Sequence, residues 1–260
     1  MPEILVKQDG AIARVLISYP QRHNALTNEM MLALPRVLDA LGRDAVTRVI
    51  VISGATDKAF AAGGDISEFA TLRTSRADED QYIANTNRAL LAPAHCAKPV
   101  IASIRGFCMG GGLQLAAACD LRIVADDALF RMPAARLGVG YPAAGIERFI
   151  ALIGAANTTD LFISARKFGA DEALRMGFAN RVVAAADLER EVDAYCAVVA
   201  DNAPLTIAAA RATIREALKL PAERDAAGLK NTIDACWGSH DYNEGRLAFM
   251  EKRSPRFLGR

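Results

Sequence analysis

An α/β fold is what the order of apolar patterns along these 260 residues predicts. Short β-branched runs crowd the first half of the chain, and runs of helical length and spacing fill the last third. Twice in the first half a short apolar run passes through consecutive glycines into a segment that can begin a helix.

Taken in order, residues 4–6 and 12–17 are expected to pair as a hairpin closed around Gln8, Asp9 and Gly10. Pro20 and Asn24 mark a loop. Thr27 or Asn28 then supplies the N-cap of a helix whose Met31, Leu34, Leu38 and Leu41 recur at helical spacing. Pro35 inside it predicts a kink or a break. Residues 49–52 read as a strand, 71–80 as a mobile polar surface loop, and 82–91 as a helix. Residues 100–104 begin directly after Pro99 as a buried strand, and 113–119 form a helix entered from Gly110, Gly111 and Gly112. Two further strands are expected at 121–124 and 128–130, followed by a Gly/Pro-rich loop over 132–149 that runs into a helix. From Asp160 onward the pattern is helical. Leu188, Val192, Tyr195 and Val199 line one face, Ile207, Ile214 and Leu218 another, and the last helix stops before Pro255.

The stretch 98–120 organises the rest. A helix entered through glycines aims bare N–H groups and the positive end of its dipole at whatever precedes it, so an anion or a developing oxyanion is its natural guest. Neither the phosphate-loop spacing nor the G-x-G-x-x-G dinucleotide fingerprint is present. The earlier element, AFAAGGDISEF, has the same layout: Gly63 and Gly64 precede Asp65 and Ser67, where a helix can start. One amide at Gly64 and one at Gly111 would place two donors on a single oxygen, the arrangement that stabilises negative charge on a carbonyl. Two unrelated tight turns are the plainer alternative.

Composition excludes several classes. Apolar residues make up 52% and the net charge is +1, with no polybasic or acidic tail to meet nucleic acid or a membrane surface. No apolar stretch approaches the roughly 20 residues of a membrane span, and no secretory leader opens the sequence, so a cytoplasmic protein is expected. Cys96, Cys108, Cys119, Cys196 and Cys236 are scattered, as are His23, His95 and His240; no metal site or disulfide framework is expected.

NAL at 24–26, AGGDI at 62–66, KPVIASIRG with GGG and CD inside 98–120, and the tail DYNEGRLAFMEKRSPRF at 241–257 together resemble the crotonase, or enoyl-CoA hydratase/isomerase, superfamily. That resemblance spans essentially the whole chain. It implies a spiral of ββα turns over residues 1–200 carrying the site, and a helical C-terminal oligomerisation region over 201–260. It also implies a homotrimer or a hexamer built as a dimer of trimers. The ligand it implies is a coenzyme A thioester bound as substrate, with no tightly bound cofactor. Gly64 and Gly111 match the oxyanion hole. Ala25, Leu26, Ala62, Asp65 and Ile66 match positions that cradle CoA, and Arg22 a position that meets its phosphates. Phe249 and Lys252, on one helix face by their spacing, match tail positions near the adenine.

The departures bear on the reaction. Hydratases of the family place one glutamate where Gln114 stands and a second where Ala134 follows Pro133, so both acid/base carboxylates are missing. LGVGYPAAGIERF resembles the methylmalonyl-CoA decarboxylase branch, which has a tyrosine at the place of Tyr141; that branch keeps a glutamate at the place of Gln114 and a histidine at that of Gly64. Three readings follow. The first is decarboxylation of a malonyl-type thioester, with Tyr141 returning a proton or else serving only as a packing residue. The second is hydration or isomerisation with Glu147 as substitute base, unless Glu147 is a solvated partner of Arg148. The third is a non-catalytic acyl-CoA binder in which Gln114 hydrogen-bonds ligand or water. Arg136 faces a substrate carboxylate, Asp126, Asp127 or solvent, and Asp120 braces a helix–strand junction.

Overall fold

The computed structural model describes every residue except Arg73, and Thr71 by its backbone. It divides into two compact units, Met1–Asp193 and Ala194–Arg260. In the first, β1 (Glu3–Asp9) and β2 (Ile12–Ser18) form an antiparallel hairpin. The chain crosses through α1 (Asn28–Arg43), capped by the Thr27 side chain, to β3 (Val49–Gly54), which lies parallel to β2.

From β3 onward one manoeuvre repeats: a strand in a six-stranded sheet, a short strand in a second sheet, then a helix. β3 is followed by β4 (Ala59–Ala61), the short α2 (Phe69–Leu72) and α3 (Arg76–His95). Next come β5 (Val100–Ile104), β6 (Phe107–Met109) and α4 (Gly111–Ala118). The third pass is β7 (Leu121–Ala125), β8 (Leu129–Arg131), the short α5 (Ala134–Leu137) and α6 (Ala143–Ser164). β9 (Lys167–Gly169), α7 (Ala170–Arg175) and β10 (Arg181–Val183) close the unit, and α8 (Leu188–Asp201) begins in it. The sheets are ordered β1-β2-β3-β5-β7-β10 and β4-β6-β8-β9. This is the expected α/β spiral of ββα turns. Its centre is apolar on both faces of the parallel strands: Val49, Ile50, Val51 and Ile52 are buried in succession, as are Val100, Ile101 and Ala102, with Phe60 and Phe130 buried on the second sheet. Burying each large side chain contributes about 1.5–3 kcal/mol.

Several expectations are corrected. α1 runs unbroken through Pro35, because Met30, Met31, Leu34 and Leu38 bury one stripe of it and offset the roughly 3 kcal/mol proline penalty. Part of the expected loop 71–80 is helix: α3 starts at Arg76, where Ser75 and Asp78 form a capping box. Arg73, in that expected loop, lies outside the described residues. β9 and β10 interrupt the region expected to be helical throughout, and β6 adds a strand inside the glycine-rich stretch.

The second unit holds the end of α8 with α9 (Pro204–Ala217), α10 (Ala226–Trp237) and α11 (His240–Glu251). The tail folds back on α11: Asp241 accepts the Leu258 and Gly259 amides, and Glu244 accepts the Arg256 amide while pairing with Arg253. Among the described residues no helix is long and apolar enough to cross a membrane.

Candidate active site

The loop before α1 and the glycine turn after β4 are stitched together by backbone. Leu26 N–H donates to Gly63 O at 2.7 Å and Asp65 N–H donates to Leu26 O at 2.9 Å. In such a parallel bridge the residue between those two partners, Gly64, turns its own N–H away from Leu26. Asn24, fully buried, fixes the loop by donating to Ala59 O at 2.7 Å and accepting from Tyr19 N–H at 3.0 Å. It stands in the left-handed region at φ +57°, which asparagine tolerates better than most residues.

The other amide opens α4. Gly110 N–H donates to Arg131 O, leaving Gly111 as the first residue of the helix with no carbonyl a turn behind it. Among the described residues neither the Gly64 nor the Gly111 N–H donates a hydrogen bond. The two turns are in contact: a Cβ built on Gly111 would stand 3.5 Å from Gly64 N, and one on Gly63 would stand 3.4 Å from Gly111 N. One on Gly112 would meet Ala61 O at 2.4 Å, so only glycine lets the first turn of α4 press this closely on β4. Two unspent donors thus lie side by side, one of them at a helix N-terminus.

The opposite end of α4 is covered by guanidiniums. Arg122, 2% exposed, donates to Ala116 O and Cys119 O, and Arg148 donates to Ala117 O and Cys119 O. Burial lowers Arg122 to about 10, still charged at neutral pH, so positive charge sits at the negative end of the dipole. Asp120 accepts the Val100 amide at 2.7 Å and braces the same junction.

At the two positions expected to lack a carboxylate, Gln114 is 2% exposed and Ala134 contributes a buried methyl. Gln114 Nε2 is buried without a hydrogen-bond partner. A Cβ on Gly145 would stand 2.9 Å from that nitrogen and 3.3 Å from Tyr141 Cδ1, so Gln114, Gly145 and Tyr141 meet. Tyr141 packs edge-on against Phe162, with centroids 5.1 Å apart, and burial raises its phenol above the ordinary value, keeping it neutral. Glu147 and Arg136 are exposed. Arg148 is not the partner expected for Glu147, since its guanidinium caps α4 instead. Asp126 and Asp127 accept the Ala185 and Gly106 amides.

Residues 7–260 match the enoyl-CoA hydratase/isomerase family. The chain belongs to that family. It is 30% identical over 257 residues to a crotonyl-CoA hydratase of Syntrophomonas wolfei, covering 99% of this chain and 98% of that protein. It is 34% identical over 254 residues to a probable enoyl-CoA hydratase of Mycobacterium tuberculosis, covering 98% of each. Among solved structures, an enoyl-CoA hydratase/carnithine racemase from Magnetospirillum magneticum superposes with a TM-score of 0.93 at 34% identity, covering 100% of this chain and 97% of that one.

The residues matched to CoA contacts in this family fall into two groups. Ala25 and Leu26 are buried beside the bridge, and Ala62 donates its N–H to His23 O. Asp65 caps a 3-10 turn, Ile66–Glu68, by accepting from Ser67 N–H and Oγ, with Arg22 at 3.5 Å and half exposed. Ile66 is exposed. Phe249 and Lys252 belong to the second unit and do not share a helix face: Phe249 is on α11, 86% exposed, whereas Lys252 is the left-handed C-cap at φ +55°. No sequence pattern points to Tyr82, whose hydroxyl is 3.1 Å from where a Gly64 Cβ would stand, or to His23, edge-on to Phe107 at 5.5 Å. The first pairing closes within one pass of the spiral and the second joins separate passes; no local spacing encodes either.

Proposed function

We propose that this family member binds a CoA thioester with its carbonyl oxygen at the Gly64 and Gly111 amides, and stabilises an enolate formed by loss of CO₂ from a malonyl-type acyl group. The observation that carries this reading is the pair of adjacent, unspent amides beside two positions, Gln114 and Ala134, that offer no carboxylate. A single oxyanion-hole donor is worth about 2.7–4 kcal/mol, whereas a positioned base supplies roughly 10²–10⁴-fold. A reaction that keeps the first contribution and needs no base is the one this site suits.

In decarboxylation the electrons of the bond between Cα and the carboxylate flow into the thioester as CO₂ leaves, and the amides hold the resulting oxyanion. The enolate then takes a proton at Cα from the neutral Tyr141 phenol, which regains one from water. Arg22 would meet the CoA phosphates, and Ala25, Leu26, Ala62, Asp65 and Ile66 would cradle the CoA moiety. CO₂ release from malonyl-, methylmalonyl- or ethylmalonyl-CoA tests the proposal; turnover of none of them ends it. Tight acyl-CoA binding without any turnover would leave a binding protein.

Hydration is favoured by one specific observation, the hydratase named for the Syntrophomonas wolfei relative. It requires Glu147, exposed on α6, to turn inward as base. Hydration of crotonyl-CoA abolished by Glu147→Gln would establish it in place of decarboxylation.

A further inference from the structure

Gln114 stands on α4 one turn beyond Gly111. Helical residues three apart share a face, and their side chains lean toward the N-terminus, so the carboxamide runs back toward the turn that presents the Gly111 amide. Its Nε2 is inaccessible to water and has no partner. The neighbours supply none: the Gly145 backbone and the Tyr141 ring edge flank it. An amide donor buried in this state costs roughly 5- to 150-fold in a folding or binding equilibrium until an acceptor reaches it. The missing side chain at Gly145 leaves the carboxamide its room, since a Cβ there would stand 2.9 Å from Nε2.

We infer that Gln114 is a specificity-determining residue whose Nε2–H donates to an oxygen on the β-position of the acyl chain. The site thereby selects CoA thioesters bearing a 3-oxo or β-carboxylate oxygen over plain acyl thioesters. This rests on the reading of the site as one for CoA thioesters and names the substrate class within it. A neutral carboxamide suits a carboxylate that must leave: a guanidinium in its place would stabilise the ground-state charge that disappears in the transition state.

Calorimetric titration of the full chain with butyryl-CoA, acetoacetyl-CoA and 3-hydroxybutyryl-CoA tests the assignment. Wild-type protein is expected to bind acetoacetyl-CoA at least about tenfold tighter than butyryl-CoA. Gln114→Met, of similar volume but without a donor, is expected to bring that ratio within about threefold and to raise the ligand-free Tm by about 2–4 °C, because the stranded amide is gone. Equal wild-type affinities, or a ratio that survives in Gln114→Met, overturn the assignment. So does a wild-type preference for 3-hydroxybutyryl-CoA over acetoacetyl-CoA, which would mean the carboxamide oxygen faces the ligand. If none of the three thioesters binds, the thioester reading itself falls, and the inference with it.

Discussion

At Gly112 a single methyl group is decisive. Its Cβ would press on the Ala61 carbonyl at 2.4 Å, a main-chain atom that cannot swing aside. Gly112→Ala is expected to destabilise the fold by roughly 1–3 kcal/mol or more in denaturant titration, and to lower kcat by pushing Gly111 off its place beside Gly64. The same change at Gly64 meets only side-chain ends, Tyr82 Oη at 3.1 Å and Met31 Cε at 3.4 Å, and should leave a folded protein. The two glycine turns were legible in the sequence because consecutive glycines before an apolar helical segment have few other uses. The bridge from Leu26 to the Gly64 turn was not legible, since a bridge between distant loops leaves no periodic trace. Nor was the unpartnered state of Gln114, which depends on Gly145 and Tyr141 arriving from another pass of the chain.

Among the elements, α4 carries Gln114 and α5 carries Ala134, the two positions on which the proposed chemistry turns. Restoring carboxylates by Gln114→Glu with Ala134→Glu is expected to raise crotonyl-CoA hydration by about 10²-fold or more over wild type, and to lower any decarboxylation. Residue 134 opens α5, where a helix N-terminus stabilises an anion. No increase in hydration by the double variant, with its fold intact, would show that the missing acids are not what separates this chain from a hydratase. The tail of α11 has its own signature in pH. The Arg253 guanidinium beside Glu244, helped by the Arg256 amide, holds its carboxyl at about 2 against an ordinary 4.5. A depressed carboxylate stabilises the fold above its ordinary pKa and loses that contribution as pH falls toward the lowered one. The hydrogen-exchange protection factor of the Arg256 amide, taken against the intrinsic rate at each pH, should therefore fall between pH 4.5 and about 2 and be unchanged from 5 to 7. Strands of five or more residues announced themselves by β-branched runs, but β6, β9 and β10 hold three residues each, too few to establish a period of two.

For the whole molecule, the second unit exposes Trp237 at 61% and Phe249 at 86%, with Ile214, Leu218, Leu220 and Met250 also uncovered. Exposed apolar side chains of this size are expected to be covered in an assembly. Sedimentation at micromolar concentration is expected to give a trimer or a hexamer; a monomer would contradict that expectation. The helical tail was legible as amphipathic text, though its symmetry was not, because a stripe of apolar residues does not specify how many copies meet on it. The polarising pair proposed at Gly64 and Gly111 is made of peptide N–H groups. Every residue but proline carries an N–H, so no ordinary substitution at 64 or 111 erases it, while the side chains at 114, 134 and 141 can each be exchanged by a codon change. On the proposed reading, the scaffold could trade one reaction for another, acid by acid, without surrendering its hold on the thioester carbonyl.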